Sequence, residues 1–262
     1  MQPKKSLGQN FLRDDEVLEE IIRAAGLTPA DNVLEIGPGE GVLTKKMVEK
    51  AGKVICVEKD DVLAKELKLI YKNNTTAEII NADIMEINLP ELIKKNNFQV
   101  YKIIANIPYY ITSPIIRLFL ETKYPPQEML LMVQREVAER ICASAGQMSI
   151  LSVSVQYYAT PKILFHVDRK SFWPVPAVDS AVIRIVPAGK NPDKKEIDNF
   201  FRTVKAGFGA KRKTLSNNLS ASLRLDKKII GEKLKTANLA PTIRAQELSI
   251  KDWKDLSQKI NA

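Results

Sequence analysis

The chain contains few of the residues that metal sites and disulfide frameworks need, with two cysteines and one histidine in 262 residues. Cys56 and Cys142 lie in apolar runs typical of packed elements, which favours reduced thiols and a reducing compartment. His166 alone cannot supply a zinc site, so it is interpreted as a surface or packing residue. No apolar run approaches the roughly 18 residues of a transmembrane helix. Neither a metal nor a membrane is therefore expected.

The N-terminal residues also lack the features of an export signal. Met1-Gln2-Pro3-Lys4-Lys5 carries charge, but no apolar segment follows it. The Arg- and Ser-rich character of a transit peptide is missing as well. We therefore expect a soluble, cytoplasmic protein.

Basic residues are in excess only in the last part of the sequence. Residues 1–187 contain 23 Lys+Arg and 23 Asp+Glu, whereas residues 188–262 contain 17 and 8, so the C-terminal part accounts for the formal net charge of +9. This asymmetry favours a separate module that binds a polyanion. A lysine-rich helical surface that only aids solubility is a common alternative.

Strand-like and helix-like segments alternate in the first 187 residues. After a predicted helix at 12–25, apolar strands are predicted at 32–36, 53–57, 78–80, 101–105 and 128–133, with a closing pair at 162–167 and 180–186. The alternation predicts an α/β, Rossmann-like, doubly wound and mostly parallel sheet. The apolar segment 150–158 fits either a strand or a helix. After a linker at 187–192, only helices are predicted, at 194–206, 214–223, 227–237 and 246–260.

A glycine turn and two acidic residues follow successive predicted strands. Gly37-Pro38-Gly39-Glu40-Gly41 stands between a strand and a helix, the context of a nucleotide-binding turn. Glu58 ends the next strand, where a carboxylate can accept both hydroxyls of an adenosine ribose, and Asp83 ends the third, near the expected adenine. Each feature alone is weak, because a loop carboxylate is often only solvated. Together they predict S-adenosylmethionine, an adenosine cofactor with no phosphate to bind.

The tetrapeptide Asn106-Ile107-Pro108-Tyr109 follows the fourth strand and indicates the reaction. An exocyclic adenine amine is a poor nucleophile because its lone pair is delocalised into the ring. The Asn106 side-chain oxygen and a backbone carbonyl of the turn can accept its two N–H groups and free that lone pair. Pro108 stiffens the turn, and Tyr109 offers a ring for stacking on a base. The motif resembles the Asn/Asp-Pro-Pro-Tyr turn of adenine amino-methyltransferases, although an ordinary strand-exit turn is an alternative.

Six motifs occur in order over nearly the full length: Lys5-Ser6-Leu7-Gly8-Gln9-Asn10-Phe11-Leu12, Glu35-Ile36-Gly37-Pro38-Gly39, Asn106-Ile107-Pro108-Tyr109, Gln134-Arg135-Glu136-Val137-Ala138, Phe172-Trp173-Pro174-Val175-Pro176-Ala177-Val178-Asp179-Ser180 and Lys211-Arg212-Lys213-Thr214-Leu215. In this order they resemble the ribosomal RNA adenine N6,N6-dimethyltransferase family of the small-subunit (16S) type. The resemblance implies a class I methyltransferase domain with a seven-stranded, mostly parallel sheet at 1–187. A small, basic, all-helical RNA-binding domain is implied at 188–262.

The resemblance also assigns residues and a substrate. Asn10 and Leu12 are implied to join Gly37, Gly39, Glu58, Asp83 and Asn106 around the cofactor, and Phe172 to stack on the target adenine opposite Tyr109. Two adjacent adenosines in the 3′-terminal hairpin of 16S rRNA are each expected to receive two methyl groups, a late step of 30S biogenesis. The chain departs from many relatives at Met148-Ser149-Ile150, where a Tyr-Gly pair is common, and this departure concerns substrate-loop contacts.

Two other functions remain possible from the sequence. The related antibiotic-resistance methyltransferases of the large-subunit (23S) RNA share several of these motifs. A noncatalytic ribosome-assembly factor could also retain the fold. The basic run Lys211, Arg212 and Lys213 is the leading RNA-binding candidate, with a solvated helix start as the alternative, and a monomer is expected.

Overall fold

The computed structural model describes residues 3–4, 7–189 and 193–261. Lys5 and Ser6 of the first motif, and 190–192 of the predicted linker, lie outside the described residues. The chain forms two compact units. The first comprises 1–138 and 160–187, and the second comprises 139–159 and 188–262.

A seven-stranded sheet is the centre of the first unit, with strand order β4-β3-β2-β5-β6-β9-β7. Strands β4, β3, β2, β5 and β6 pair in parallel, and β9 pairs with β6 antiparallel. The predicted fold class is thereby confirmed. The strands are β2 (Asn32–Ile36), β3 (Lys53–Glu58), β4 (Ala77–Asn81), β5 (Lys102–Asn106), β6 (Glu128–Gln134), β7 (Ala159–Val167) and β9 (Ser180–Pro187).

The central strands are apolar because helices cover both faces of a parallel sheet. Val33, Ile55, Ile103 and Leu131 are fully buried in successive strands. The connecting helices are α1 (Asp15–Ala25), α2 (Val42–Val48), α3 (Asp61–Ile70), α4 (Leu89–Lys95), α5 (Thr112–Leu120) and α6 (Arg135–Ile141).

The predicted first helix was wrong at its start. Helix α1 begins at Asp15, because the Asp14 side chain accepts the backbone N–H groups of Glu16 and Val17 and caps it there. The preceding residues form a short strand, β1 (Phe11–Leu12), which pairs antiparallel with β8 (Phe172–Trp173). These two strands are far apart in sequence, so local periodicity could not show their pairing.

The second unit is built from helices α7 (Ile150–Tyr158), α8 (Lys194–Gly207), α9 (Leu215–Leu223), α10 (Lys227–Thr236) and α11 (Ile250–Asn261). The segment that fitted either element type is thus the helix α7. Its Tyr157 ring stacks on Phe200 at a centroid distance of 4.1 Å, and Tyr158 stacks on Phe201 at 6.0 Å. This aromatic cluster explains why 139–159 group with the C-terminal helices, whereas the sequence-based division assigned them to the first domain.

The stretch Met148-Ser149-Ile150, where the chain departs from many relatives, contains the start of a helix. Ser149 caps α7: its side chain accepts the Ser152 backbone N–H at 3.2 Å, and its own N–H donates to the Ser152 hydroxyl at 2.6 Å. This is a capping box, which stabilises a helix start. The chain therefore has a helix-starting serine in this stretch.

The described part of the chain has neither a membrane-spanning helix nor a metal-binding cluster. No helix there is long and apolar enough to cross a bilayer. Within 3–4, 7–189 and 193–261, no group of three or more His, Cys, Asp or Glu side chains is arranged to hold a metal ion.

Candidate active site

A cavity of about 280 Å³ opens at the carboxyl ends of the parallel strands in the first unit. This edge of an open α/β sheet is where ligands bind. The N-terminal segment and the residues after β2, β3, β4 and β5 supply its walls. Of the predicted site residues, Asn10, Leu12, Gly37, Glu58, Asp83, Asn106, Pro108 and Tyr109 line it.

The glycine turn after β2 has the backbone geometry that its sequence predicts. Gly37 and Gly39 have φ angles of 65° and 60°, in the left-handed region that side chains disfavour. A Cβ atom at Gly39 would lie 3.2 Å from the Phe11 ring. Gly39 itself is not a cavity-lining residue, but its N–H donates to Glu58 Oε2 at 3.0 Å. The turn thus helps to orient the carboxylate of the neighbouring strand.

Glu58 is a buried carboxylate at the end of β3, with 5% of its surface exposed. Its Oε1 accepts the Asp60 N–H at 2.8 Å, while Oε2 accepts the Gly39 N–H. Burial raises the pKa of Glu58, and the backbone donors oppose that rise. Each oxygen retains a further lone pair, so the side chain is suited to accept two ligand hydroxyls.

Asp83 follows β4 and is held by local contacts. Lys59 Nζ lies 2.7 Å from Asp83 Oδ2, and the Met85 N–H donates to Oδ1 at 2.9 Å. The hydrogen bond from Lys59 is the main cause of the lowered pKa of Asp83. Ala82 and Ile84 line the cavity on either side of it. The ion pair with Lys59 thus fixes the Asp83 carboxylate beside an apolar wall. Such a site suits a heterocycle whose exocyclic amine can donate to the carboxylate.

The N-terminal segment forms a wall that sequence patterns did not predict, and only the family resemblance indicated its role. Leu12 is buried in the core, and Asn10 donates its side-chain N–H to the Gly8 carbonyl at 3.2 Å. Buried Asp60 accepts Lys4 Nζ at 2.9 Å and Gln9 Nε2 at 3.0 Å. These long-range bonds, which the sequence reasoning missed, hold the segment against the start of α3.

Asn106 is oriented by the N-terminal segment. Its Nδ2 donates to the Asn10 carbonyl at 3.2 Å. This bond uses the donor end of the amide, and within the described residues the acceptor end, Oδ1, has no protein donor. The side chain therefore presents a neutral oxygen, as the chemistry of adenine activation requires.

Tyr109 begins a short 3-10 turn, Tyr109–Ile111, that leads into α5. Its hydroxyl lies 2.7 Å from Ser180 Oγ on β9, and burial raises its pKa. The ring is thus held at its polar end. The side chain remains only partly buried, which leaves ring surface available for a base.

The structure does not bring Phe172 to the cavity. Its ring is 2% exposed and belongs to the hydrophobic core, because β8 pairs with β1 and places Phe172 opposite Leu12. Trp173 beside it is 45% exposed and stacks on Phe11 at 6.5 Å. Stacking of Phe172 on an adenine therefore stays a prediction.

The predicted RNA-binding residues lie in the second unit. Lys211, Arg212 and Lys213 are all exposed, in a turn between α8 and α9. Thr214 caps α9 directly after them by accepting the Asn217 N–H at 3.4 Å. Three adjacent cations on an exposed turn can reach a phosphate backbone, which supports their candidacy.

The chemistry of the cavity fits S-adenosylmethionine. A buried carboxylate is available for the ribose hydroxyls, and apolar walls flank a second carboxylate. Asn106, at the end of β5, supplies a neutral amide oxygen. The residues that would hold the cofactor are Asn10, Leu12, Gly37, Glu58, Asp83 and Asn106.

Known proteins resemble this chain over nearly its whole length. A family model described as Ribosomal RNA adenine dimethylase matches residues 1–262. Two curated relatives are named Ribosomal RNA small subunit methyltransferase A. The Dehalococcoides mccartyi protein is 41% identical over 98% of this chain and 88% of its own length. The Clostridioides difficile protein is 42% identical over 98% of this chain and 90% of its own length.

Solved structures agree with these sequence relatives. A dimethyladenosine transferase from Plasmodium falciparum gives a TM-score of 0.81 at 28% identity, covering 96% of this chain and 97% of that one. The 23S rRNA methyltransferase ErmE gives a TM-score of 0.78 at 27% identity, covering 97% and 100%. The chain therefore belongs to the ribosomal RNA adenine dimethylase family and is an S-adenosylmethionine-dependent rRNA adenine dimethyltransferase.

Proposed function

We propose that this protein dimethylates the exocyclic N6 of two adjacent adenosines in the 3′-terminal hairpin of 16S rRNA, late in 30S biogenesis, and acts as a cytoplasmic monomer. The observation that carries the choice of subunit is the name shared by the relatives at 41–42% identity, Ribosomal RNA small subunit methyltransferase A. The large-subunit enzyme ErmE is 27% identical. The small subunit is therefore the favoured target.

The cofactor is proposed to lie along the carboxyl ends of β2, β3 and β4. When bound, S-adenosylmethionine supplies a methyl group on a sulfonium, which is an excellent leaving group. Glu58 holds the ribose hydroxyls, and Asp83 accepts the exocyclic amine of the adenine. The Gly39 and Asp60 N–H groups keep the Glu58 carboxylate in place for this.

The target adenine is proposed to be held by the turn after β5. Asn106 Oδ1 accepts one N–H of the target amine, and a backbone carbonyl of Ile107 or Pro108 accepts the other. The Tyr109 ring stacks on the base, which offsets part of the cost of leaving the RNA stack, at about 1–3 kcal/mol per contact. Orientation of the amine by these groups can lower the barrier by roughly 7–11 kcal/mol, so no strong base is needed.

The same turn explains a second methylation of the same nitrogen. A monomethylated amine still has one N–H group, which Asn106 Oδ1 or the carbonyl can accept. A dimethylated amine has none and loses both anchoring bonds. The turn thus holds the substrate and the intermediate but not the final product.

Methylation of isolated ribosomal subunits tests the substrate directly. Incubation with the protein and S-adenosylmethionine should add two methyl groups to each of two adjacent adenosines in 30S particles and none to 50S particles. Nuclease mapping with mass spectrometry measures both. Modification of 50S particles alone would instead establish the large-subunit function. Binding to 30S particles without modification would establish a noncatalytic assembly factor.

The basic turn predicts salt-dependent binding to RNA. Replacement of Lys211, Arg212 and Lys213 by alanine should weaken 30S binding and reduce the slope of log affinity against log salt by about 2–3. Fluorescence anisotropy between low and physiological salt measures the slope. The matched control replaces Lys227, Lys228 and Lys233 on α10 by alanine. This control loses the same net charge, but its slope of log affinity against log salt should stay close to that of the wild type. Equal slopes for the wild type and the 211–213 variant would contradict the prediction.

A further inference from the structure

Glu35 is a buried acid in the cavity that the proposed mechanism does not use. It lies near the end of β2 with 1% of its surface exposed and forms part of the cavity wall. Its Oε2 accepts the Thr44 hydroxyl of α2 at 2.5 Å and the Cys56 thiol of β3 at 3.3 Å. Both donors are themselves buried. The carboxyl is therefore enclosed between the sheet and α2.

The groups around Glu35 do not compensate a negative charge. The titratable groups that face it are Cys56 and Glu58 of β3 and Tyr71 at the end of α3. In the part of the chain that the structure describes, Glu35 forms no salt bridge, while Lys59, a cation of the cavity wall, pairs with Asp83. Burial is the largest cause that raises the pKa of Glu35, to about 7, with Glu58 adding to the rise.

We propose that Glu35 is a charge-sensing residue that gives up a proton when the sulfonium cofactor binds, so that the cavity distinguishes the cofactor from its uncharged thioether product. This inference rests on the proposed cofactor position. A cation that binds near a buried acid favours the ionised form of that acid. The proton passes from the Glu35 carboxyl to the solvent buffer. The Thr44 and Cys56 donors then stabilise the carboxylate that remains.

The cofactor and the product differ in the one charge that Glu35 is proposed to sense. S-adenosylmethionine carries the sulfonium, whereas S-adenosylhomocysteine has a neutral sulfur and the same ribose, adenine and amino-acid groups. Contributions of the ribose, the adenine and the amino group of the ligand are therefore common to both ligands. Once the methyl has left, the carboxylate has lost its partner and takes its proton back, which weakens retention of the product relative to the cofactor.

Isothermal titration calorimetry at pH 7 in two buffers of different ionisation enthalpy measures the protons released. With a carboxyl about half protonated at this pH, the cofactor should release up to roughly half a proton more than S-adenosylhomocysteine does. The ratio of the two affinities, cofactor over product, should rise by up to about tenfold between pH 6 and pH 8. In Glu35→Gln both differences should disappear.

A second variant keeps the inference testable if Glu35→Gln folds poorly. Thr44→Val removes a donor that favours the carboxylate, so the pH at which the affinity ratio rises should move upward. The matched control is Thr203→Val in the second unit, where the buried Thr203 hydroxyl donates to the Asn199 carbonyl. This variant should leave unchanged the pH at which the affinity ratio rises. Equal proton release for the two ligands in the wild type, or an unmoved midpoint in Thr44→Val, overturns the inference. Either result would leave the proposal of a 16S rRNA substrate unaffected. Unmodified 30S particles, in contrast, would contradict the proposed substrate without contradicting the role of Glu35.

Discussion

Replacement of Asn106 by alanine should lower the rate of methyl transfer by about a hundred- to a thousandfold, with little change in the affinity for RNA. The expected size is that of removing one preorganised hydrogen-bonding group from a transition state. In the structure, the Asn106 amide donates to the Asn10 carbonyl, and Asn106 lines the cavity. Single-turnover kinetics on 30S particles, with RNA affinity measured separately, give the two quantities.

The Asn106→Asp variant separates two roles for this residue. Aspartate keeps an acceptor oxygen but loses the N–H that bonds the Asn10 carbonyl at 3.2 Å. If the oxygen acts on the amine, Asn106→Asp should retain much more activity than Asn106→Ala. If Asn106 only fastens the N-terminal segment, the two variants should be equally impaired, and the proposed role of the oxygen would be wrong.

Replacement of Glu58 by alanine should weaken cofactor binding by roughly ten- to a hundredfold for each ribose hydroxyl that it holds, since a hydrogen bond to a charged group contributes about 1.5–3 kcal/mol. The variant also leaves the Gly39 and Asp60 N–H groups without their acceptor. Because burial raises the pKa of Glu58, the wild-type affinity should start to fall at a higher pH than for an exposed glutamate as the solution is acidified. Calorimetry with S-adenosylhomocysteine measures the affinity.

A ligand that lacks the ribose 2′-hydroxyl is the control for loop distortion. The wild type should bind 2′-deoxy-S-adenosylhomocysteine more weakly than S-adenosylhomocysteine, while Glu58→Ala should bind both with similar affinity. Removal of the 2′-hydroxyl changes the binding free energy by one amount in the wild type and by another in Glu58→Ala. The difference between these two amounts is the interaction energy of Glu58 with that hydroxyl. If removal of the 2′-hydroxyl weakens binding as much in Glu58→Ala as in the wild type, the ribose does not bind to Glu58.

Local sequence patterns predicted the sheet because each central strand is a short apolar run between helices. They also predicted the order of polar residues at the strand ends, and Gly37, Glu58, Asp83 and Asn106 meet at one cavity. They failed where the structure depends on distant partners. The pairing of Phe11–Leu12 with Phe172–Trp173 joins segments about 160 residues apart and replaces the predicted start of the first helix.

Buried polar residues were the other part that sequence could not show. Glu35 stands in an apolar strand, where a pattern does not reveal that Thr44 and Cys56 bond it. The bonds of Asp60 to Lys4 and Gln9 are equally long-range. The resemblance assigned Phe172 to the substrate. In the structure, the ring is buried because β8 pairs with the distant strand β1, and a local sequence pattern does not show this pairing.

A crystal structure of the protein with S-adenosylhomocysteine and an adenosine-containing RNA hairpin would show directly where the target adenine binds. The proposed mechanism requires that Asn106 Oδ1 lies within hydrogen-bond distance of the target N6, that Glu58 bonds the cofactor ribose, and that N6 faces the cofactor sulfur. A target base held outside the cavity, or a nitrogen turned away from Asn106, would contradict it.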